Sequence, residues 1–289
     1  MFNFKFIFSD LFPRRWFYPL LSLVVAVSVL VATPHPTPAV PWRDLLLRGV
    51  QVIQLSNISD RQEVQIGQQI NAGLVGQEFR LYTNRQVNAY VDEVGQRIAA
   101  ASDRPGIPYT FQVVQDNNVN AFATMGGYVY VTTGLLRTAE NEAELASVLA
   151  HEVGHIASRH MVEQMRQTAI SRGLASAAGL NGSTAVQLGL QLALDRPRSR
   201  KDELEADRRA LQTITKAGYA QSAIVSFMEK LLEQGGSPPS FLSTHPATQD
   251  RIAALEKELD PTRATVGEGL NQASYRANIR PLVPVSRRS

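Results

Sequence analysis

Hydrophobic positions along this chain recur mainly at helical spacing, with one stretch that alternates like a sheet. Asp60 with Glu63 opens one predicted helix, reaching about Val75, and Asn84 opens a second, reaching about Ala101. The exception lies between positions 109 and 132. There YTFQVV (Tyr109–Val114), NAFAT (Asn120–Thr124) and YVYVT (Tyr128–Thr132) read as strands, and the last two flank Gly126-Gly127 as a hairpin. Helical spacing returns over Asn141–Arg159, where Leu145, Val148, Leu149 and Ile156 share the pattern and Asn141 with Glu144 resembles a capping box. Lys201 begins another helix with Gly218 as its natural stop, and ATQDRIAALEKEL is the last clear one. The pattern predicts an α+β fold, mainly helical with a small β-sheet, and shows no internal repeat.

Three stretches stand outside it. Lys5, Arg14 and Arg15 precede an apolar run from Trp16 to Ala32, which a Pro-rich segment follows. Residues 1–39 are therefore expected to be a signal peptide, cut near Ala39, or a single transmembrane anchor with its linker. The positive residues before the run predict a cytoplasmic N-terminus with the remainder exported. Arg43–Leu55 is rich in Leu, Val and Ile and is expected to pack as the first element of the domain, with a membrane-surface stretch as the alternative. Gly173–Leu194 is apolar, rich in Ala and Gly, and divided by Asn181-Gly182, which predicts a helical hairpin acting as a lid, a partner surface or a membrane-touching element. After about Asp260 periodicity fades. The expected layout is a catalytic domain over 40–260 and a mobile basic tail over 261–289, where Arg276, Arg280, Arg287 and Arg288 cluster.

Composition narrows the class. A chain of 289 residues holds one sizeable domain with short flanks. Hydrophobic content of 44% with 19% charge describes a globular protein. The net charge of +3 comes without an aromatic-interleaved basic motif, so nucleic acid is not an expected partner. There is no cysteine, which excludes disulfides, thiolate metal sites and a lipid-modified cysteine anchor.

The chemistry concentrates at His151-Glu152-Val153-Gly154-His155. Four residues apart on a helix, His151 and His155 point at one metal ion, as in zinc peptidases of the HExxH type. Glu152 lies beside them, where it can draw a proton from the attacking water that zinc makes more acidic. Five residues by themselves also fit a solvated Ala-rich helix. Gly154 in mid-helix costs about 1 kcal/mol relative to Ala, so a neighbour is expected close to the backbone there. His160, five residues past His155, is expected to point away from it around the helix. The remaining ligand is then a carboxylate from KDELEAD, where Glu203 and Asp207 share a face; one can bind zinc and the other can hold the far nitrogen of a zinc-binding histidine. A charged, solvated helix is the competing reading of KDELEAD, and pairing with HEVGH makes it much the weaker one.

HEVGHIASRH, ELEAD and STHPATQDRI, in that order, resemble the gluzincin metallopeptidases of the HtpX, CAAX prenyl protease and mitochondrial Oma type (peptidase family M48), closest to periplasmic members with one N-terminal signal. The resemblance spans about residues 57–260 and implies a zincin-like fold with one zinc ion per chain. It implies His151, His155 and Glu203 as ligands, Asp207 behind them, and Glu152 as general base and acid. His245 would take the fourth zinc position as a latency switch or assist the oxyanion, with Arg251 orienting its loop; a plain helix start at Pro246 is the competing reading of that segment. The strand Asn120, Ala121, Phe122 and Ala123 would bind the substrate main chain. The implied function is a zinc metalloendopeptidase acting on unfolded or misassembled cell-envelope proteins, located in the periplasm or at the membrane, together with the envelope assembly machinery. The alternative is a chaperone-like assembly factor with latent protease activity.

Overall fold

The computed structural model describes residues 52–53, 55–172, 180–195, 198–233, 240–246 and 249–282. The expectations for the apolar N-terminal run, the Pro-rich linker, the start of Arg43–Leu55 and the last seven residues lie outside them. Among the described residues no helix is long and apolar enough to cross a membrane.

A three-stranded sheet divides the interior in two. Its strands are β2 (Thr110–Val114), β3 (Ala121–Ala123) and β4 (Tyr128–Thr132), in the order β2-β4-β3, and a separate two-residue β1 (Val52–Ile53) pairs elsewhere. β3 and β4 form the expected antiparallel hairpin, with Phe122 opposite Tyr130. β2 runs parallel to β4, a pairing that local sequence does not announce. Side chains alternate across the sheet. Phe111, Val113, Ala121, Ala123, Val129 and Val131 enter one core. Val114, Phe122 and Tyr130 enter the other, where the Phe122 and Tyr130 rings stack at 4.5 Å.

Helices cover both faces. α1 (Asp60–Gly73) and α2 (Arg85–Ala101) are the first two predicted helices. The α1 cap is Ser59 with Gln62, one residue earlier than expected, because Glu63 is buried as an ion-pair partner instead. At the turn between β3 and β4, Gly126 has φ of 78°, and a Cβ there would meet the Glu63 carbonyl at 2.8 Å. α1 therefore presses directly on the hairpin. After the short α3 (Thr133–Thr138) come α4 (Glu142–Ala157) and α5 (His160–Ser171).

The Ala/Gly-rich stretch departs from expectation. Residues 173–179 lie outside the described ones. Asn181 is no hairpin turn: with Leu180 it forms β5, antiparallel to β1, and its side chain accepts from the Thr184 N–H at 2.8 Å to start α6 (Gly182–Asp195). Asn is as good a helix cap as a turn residue, and the cap prevails. α6 buries Ala185, Leu188 and Leu192 in the second core with α1 and α5.

Then follow α7 (Arg200–Lys216), α8 (Ser222–Glu233), α9 (Ser240–Thr244), α10 (Gln249–Glu258) and α11 (Gln272–Asn278). The expected mobile tail from 261 is corrected up to residue 282. Tyr275, Ile279 and Leu282 are buried in the main core, and the Tyr275 hydroxyl donates to the Leu136 carbonyl at 2.7 Å. These three anchors fall at i, i+4 and i+7, a helical signal sparse enough to be lost among polar neighbours.

Candidate metal centre and active site

Two helices carry the chemistry. α4 is capped by Asn141, whose side chain accepts from the Glu144 N–H, while Glu144 reaches back to the Glu140 N–H rather than to Asn141 itself. α7 is capped by Ser199, which accepts from the Asp202 N–H, and ends just before Gly218. They cross at Gly154, where a Cβ would lie 2.9 Å from the Ala206 carbonyl oxygen. The close neighbour expected at this glycine is thus the backbone of the second helix.

This contact brings His151, His155 and Glu203 together, and His245 joins them from the end of α9; their ligand atoms all lie within 4.8 Å of one another. His151 Nε2 is 3.0 Å from His155 Nε2 and 3.2 Å from His245 Nδ1. Glu203 Oε1 is 3.3 Å from His155 Nε2 and 3.1 Å from His245 Nδ1, and its Oε2 is 3.4 Å from His151 Nε2. Nitrogen and oxygen ligands at about 2.0–2.1 Å from a tetrahedral ion stand roughly 3.3–3.4 Å apart, so these residues fit a small divalent cation such as zinc. Glu152 is fully buried and neither of its oxygens has a hydrogen-bond partner; His245 Nε2 stands 3.3 Å from Oε1.

A layer of charge surrounds the cluster. Asp207 Oδ1 lies 2.9 Å from His151 Nδ1, leaving Nε2 to face the centre. Arg251 grips both Asp207 oxygens, at 2.6 and 2.7 Å, and its Nη1 is 2.7 Å from Glu203 Oε2. The same guanidinium donates to the Pro246 carbonyl at 3.0 Å, tying the His245 segment to α7. Arg251 is 2% exposed, so its charge is held inside the protein by these acids.

These neighbours set protonation. Burial opposes charging His151, but hydrogen bonds to Asp207 and Glu203 outweigh it and raise its pKa to about 9. A proton there stands in for a cation between the carboxylates. Burial, aided by the charge of Arg198, drives His155 well below the ordinary histidine value. Burial alone would raise Asp207, yet its bonds to Arg251 and His151 hold it below the usual carboxylate value. Glu203 likewise is lowered despite burial, by His245 and His151.

His160 is where sequence reasoning failed. A continuous helix would turn it away, but α4 ends at Ala157 and Arg159 adopts left-handed φ of 55°. Arg159 is held there by the Ile58 carbonyl, by Asp60 and by buried Glu63, whose Oε2 lies 3.2 Å from its Nε. The break swings His160 back until its Nδ1 is 2.8 Å from His155 Nδ1.

Of the predicted substrate strand, Ala121, Phe122 and Ala123 form β3 at the sheet edge, and Asn120 precedes them. The Asn120 carbonyl pairs inward with Thr132 N–H, while its Oδ1 is buried without a partner. Toward the free edge, Arg198 Nη2 donates to the Ala123 carbonyl at 3.0 Å, and the Phe241 N–H donates to the Val119 carbonyl. The Arg198 N–H also holds the Thr244 carbonyl, beside His245.

Helices on both faces of a small sheet, with an HExxH helix crossing a glutamate-bearing one, define a zincin-like metalloprotease fold. The chain belongs to peptidase family M48, whose model matches residues 85–259. A putative beta-barrel assembly-enhancing protease of Vibrio cholerae is 36% identical over 271 residues, covering 83% of this chain and 51% of that protein. The beta-barrel assembly-enhancing protease of Escherichia coli K12 is 29% identical, covering 78% of this chain and 50% of its own length. The mitochondrial metalloendopeptidase OMA1 of Schizosaccharomyces pombe is 34% identical over 59% of this chain and 52% of its own. The chain thus spans about half the length of these relatives.

Proposed function

We propose that this chain is a zinc-dependent metalloendopeptidase, with His151, His155 and Glu203 as the ligands of one zinc ion and Glu152 as the general base and acid. The observation that carries the reading is the buried, hydrogen-bond-free Glu152 carboxylate beside a ligand set spaced for a tetrahedral cation. Zinc, when bound, makes a water molecule more acidic and polarises a carbonyl. Glu152 takes the proton from the attacking water as its oxygen adds to the scissile carbonyl carbon. It then delivers that proton to the departing nitrogen as the C–N bond breaks. Asp207 holds His151 on its Nδ1 side, and Arg251 holds Asp207.

His245 occupies the fourth corner of the ligand set, so substrate and water enter only when it withdraws, and this reading makes it a latency switch. The alternative role, assisting the oxyanion, requires the same withdrawal. Asn120, Ala121, Phe122 and Ala123 would take an extended substrate along the edge of β3 once Arg198 releases the Ala123 carbonyl. Main-chain recognition favours unfolded polypeptides over a particular side chain.

Relatives named for β-barrel assembly and the apolar segment in residues 1–39 support work in the cell envelope. The proposal is quality control of unfolded or misassembled envelope proteins, in the periplasm or anchored to the membrane, beside the assembly machinery. Residues from 40 onward would form the catalytic domain. The closed state favours one alternative: a chaperone-like assembly factor whose proteolysis stays latent.

The test is cleavage of casein by the purified chain and by Glu152→Gln, with metal content measured on both. About one zinc per chain in each, and a loss of about 10²–10⁴-fold in rate for Glu152→Gln, is the expected result. Bound zinc without cleavage by either would favour the latent factor, and His245→Ala would then regain cleavage if the switch holds.

A further inference from the structure

His160 is 5% exposed, and the hydrolysis described above makes no use of it. Its position is built at some cost: a left-handed Arg159, pinned by a buried glutamate, sits at the helix break that returns residue 160 to His155. Two imidazole nitrogens 2.8 Å apart require one to donate and the other to accept. His155 turns Nε2 toward Glu203 and His151. An Nε2 lone pair free for a cation means that the His155 proton sits on Nδ1 and is donated to His160 Nδ1. His160 must then carry its own proton on Nε2. That atom is buried without a hydrogen-bond partner, and it faces Glu205 Oε2 at 3.6 Å and Asp202 Oδ1 at 3.8 Å. Two carboxylates outside the ring favour a proton on that side. The opposite arrangement, with His160 donating, would put the His155 proton on Nε2 and close it to any cation.

We infer that His160 is the positioning residue for His155: it accepts the His155 Nδ1 proton, is itself oriented by Glu205 and Asp202, and so sets how tightly the centre holds its metal. The inference rests on the metallopeptidase reading above. It makes α5 part of the metal centre without supplying a ligand, and it gives His155 a counterpart to the Asp207 that holds His151.

The test uses the full chain. Zinc affinity is measured by competition with a chromogenic chelator, and the cobalt-loaded protein gives a visible spectrum that reports ligand geometry. His160→Phe keeps a ring and removes the acceptor; His160→Asn returns an acceptor oxygen near the place of Nδ1. The expected result is about 10–100-fold weaker zinc binding and altered cobalt bands for His160→Phe, with the metal-free protein melting as the parent does. His160→Asn recovers most of both, and His155→Ala takes up no zinc. Parent-like zinc affinity in His160→Phe, with His155→Ala empty, overturns the positioning role and leaves the metal centre standing. A His160→Asn variant as weak as His160→Phe overturns it too. Should His160→Phe fail to fold, the Asp202→Asn/Glu205→Gln pair decides: several-fold weaker zinc supports the role, and unchanged affinity refutes it. A parent that takes up no zinc removes both readings together.

Discussion

Two buried glutamates, Glu63 on α1 and Glu152 on α4, are treated in opposite ways. Glu63 is 1% exposed and fully answered. Arg104 reaches both its oxygens at 3.0 and 3.3 Å, Arg159 approaches at 3.2 Å, and the Gly126 N–H lies at 3.4 Å. Glu152 is 0% exposed and neither oxygen has a hydrogen bond; it meets the His245 ring, whose Nε2 stands 3.3 Å from Oε1, and no guanidinium hydrogen-bonds to it as Arg104 does to Glu63. A buried carboxylate that only supports structure is hydrogen-bonded, because leaving one without such bonds costs several kcal/mol. Glu152, left without hydrogen bonds at the wall of a metal-shaped cluster, stands where the proposed general base must stand. The same fold therefore fastens one buried glutamate with guanidinium bonds and leaves the other without a hydrogen bond beside the histidines.

The most forceful way to break the comparison is to remove each charge in turn. Glu63→Ala strands Arg104 and Arg159 and releases the left-handed turn, and is expected to lower stability by about 3–5 kcal/mol. Glu152→Gln removes a buried charge and is expected to leave stability within about 1 kcal/mol of the parent or raise it. Urea unfolding of metal-free protein checks both; equal losses would erase the distinction.

The second test is pH. A histidine whose folded pKa is raised adds stability that is complete below its unfolded value of 6.5 and lost as pH rises through its folded value of about 9. Metal-free protein should therefore lose on the order of 2–3 kcal/mol between those limits through His151. Zinc replaces the proton, so the loaded protein should keep its melting temperature over the same window. A flat metal-free profile would mean that the carboxylates do not hold a proton on His151.

The smallest expected effect isolates the frame from the charges. Gly154→Ala gains about 1 kcal/mol in helix propensity but forces a Cβ to 2.9 Å from the Ala206 carbonyl. Overpacking costs about 1–3 kcal/mol, so a net loss of about 1 kcal/mol is expected, with zinc affinity falling as the two helices part. Unchanged affinity would show that the ligands tolerate the displacement.

What was legible in the chain follows from locality. Asn141, Asn84 and the HEVGH spacing act within one or two turns, and the helices they predict are present. The meeting of His151, His155 and Glu203 needed only that two helical faces find each other. Local sequence points His160 the wrong way because a non-glycine residue turns left-handed, and what stabilises Arg159 there is Glu63, almost a hundred positions away. The α11 anchors and the parallel pairing of β2 with β4 are likewise decided by contacts distant in sequence. Local pattern carries the caps and the ligands; it does not carry the partners that bend the backbone toward them.

The crossing at Gly154 has a consequence for anyone wishing to move this centre into another scaffold. Ordinary helix pairs stand about 8–10 Å apart, with side chains between them. Here one backbone rests against the other at Ala206. Grafting His151, Glu152, His155 and Glu203 onto a generic pair of helices would copy the donor atoms and lose their spacing. The glycine is part of the recipe, and a successful transplant must carry the close crossing before it carries the histidines.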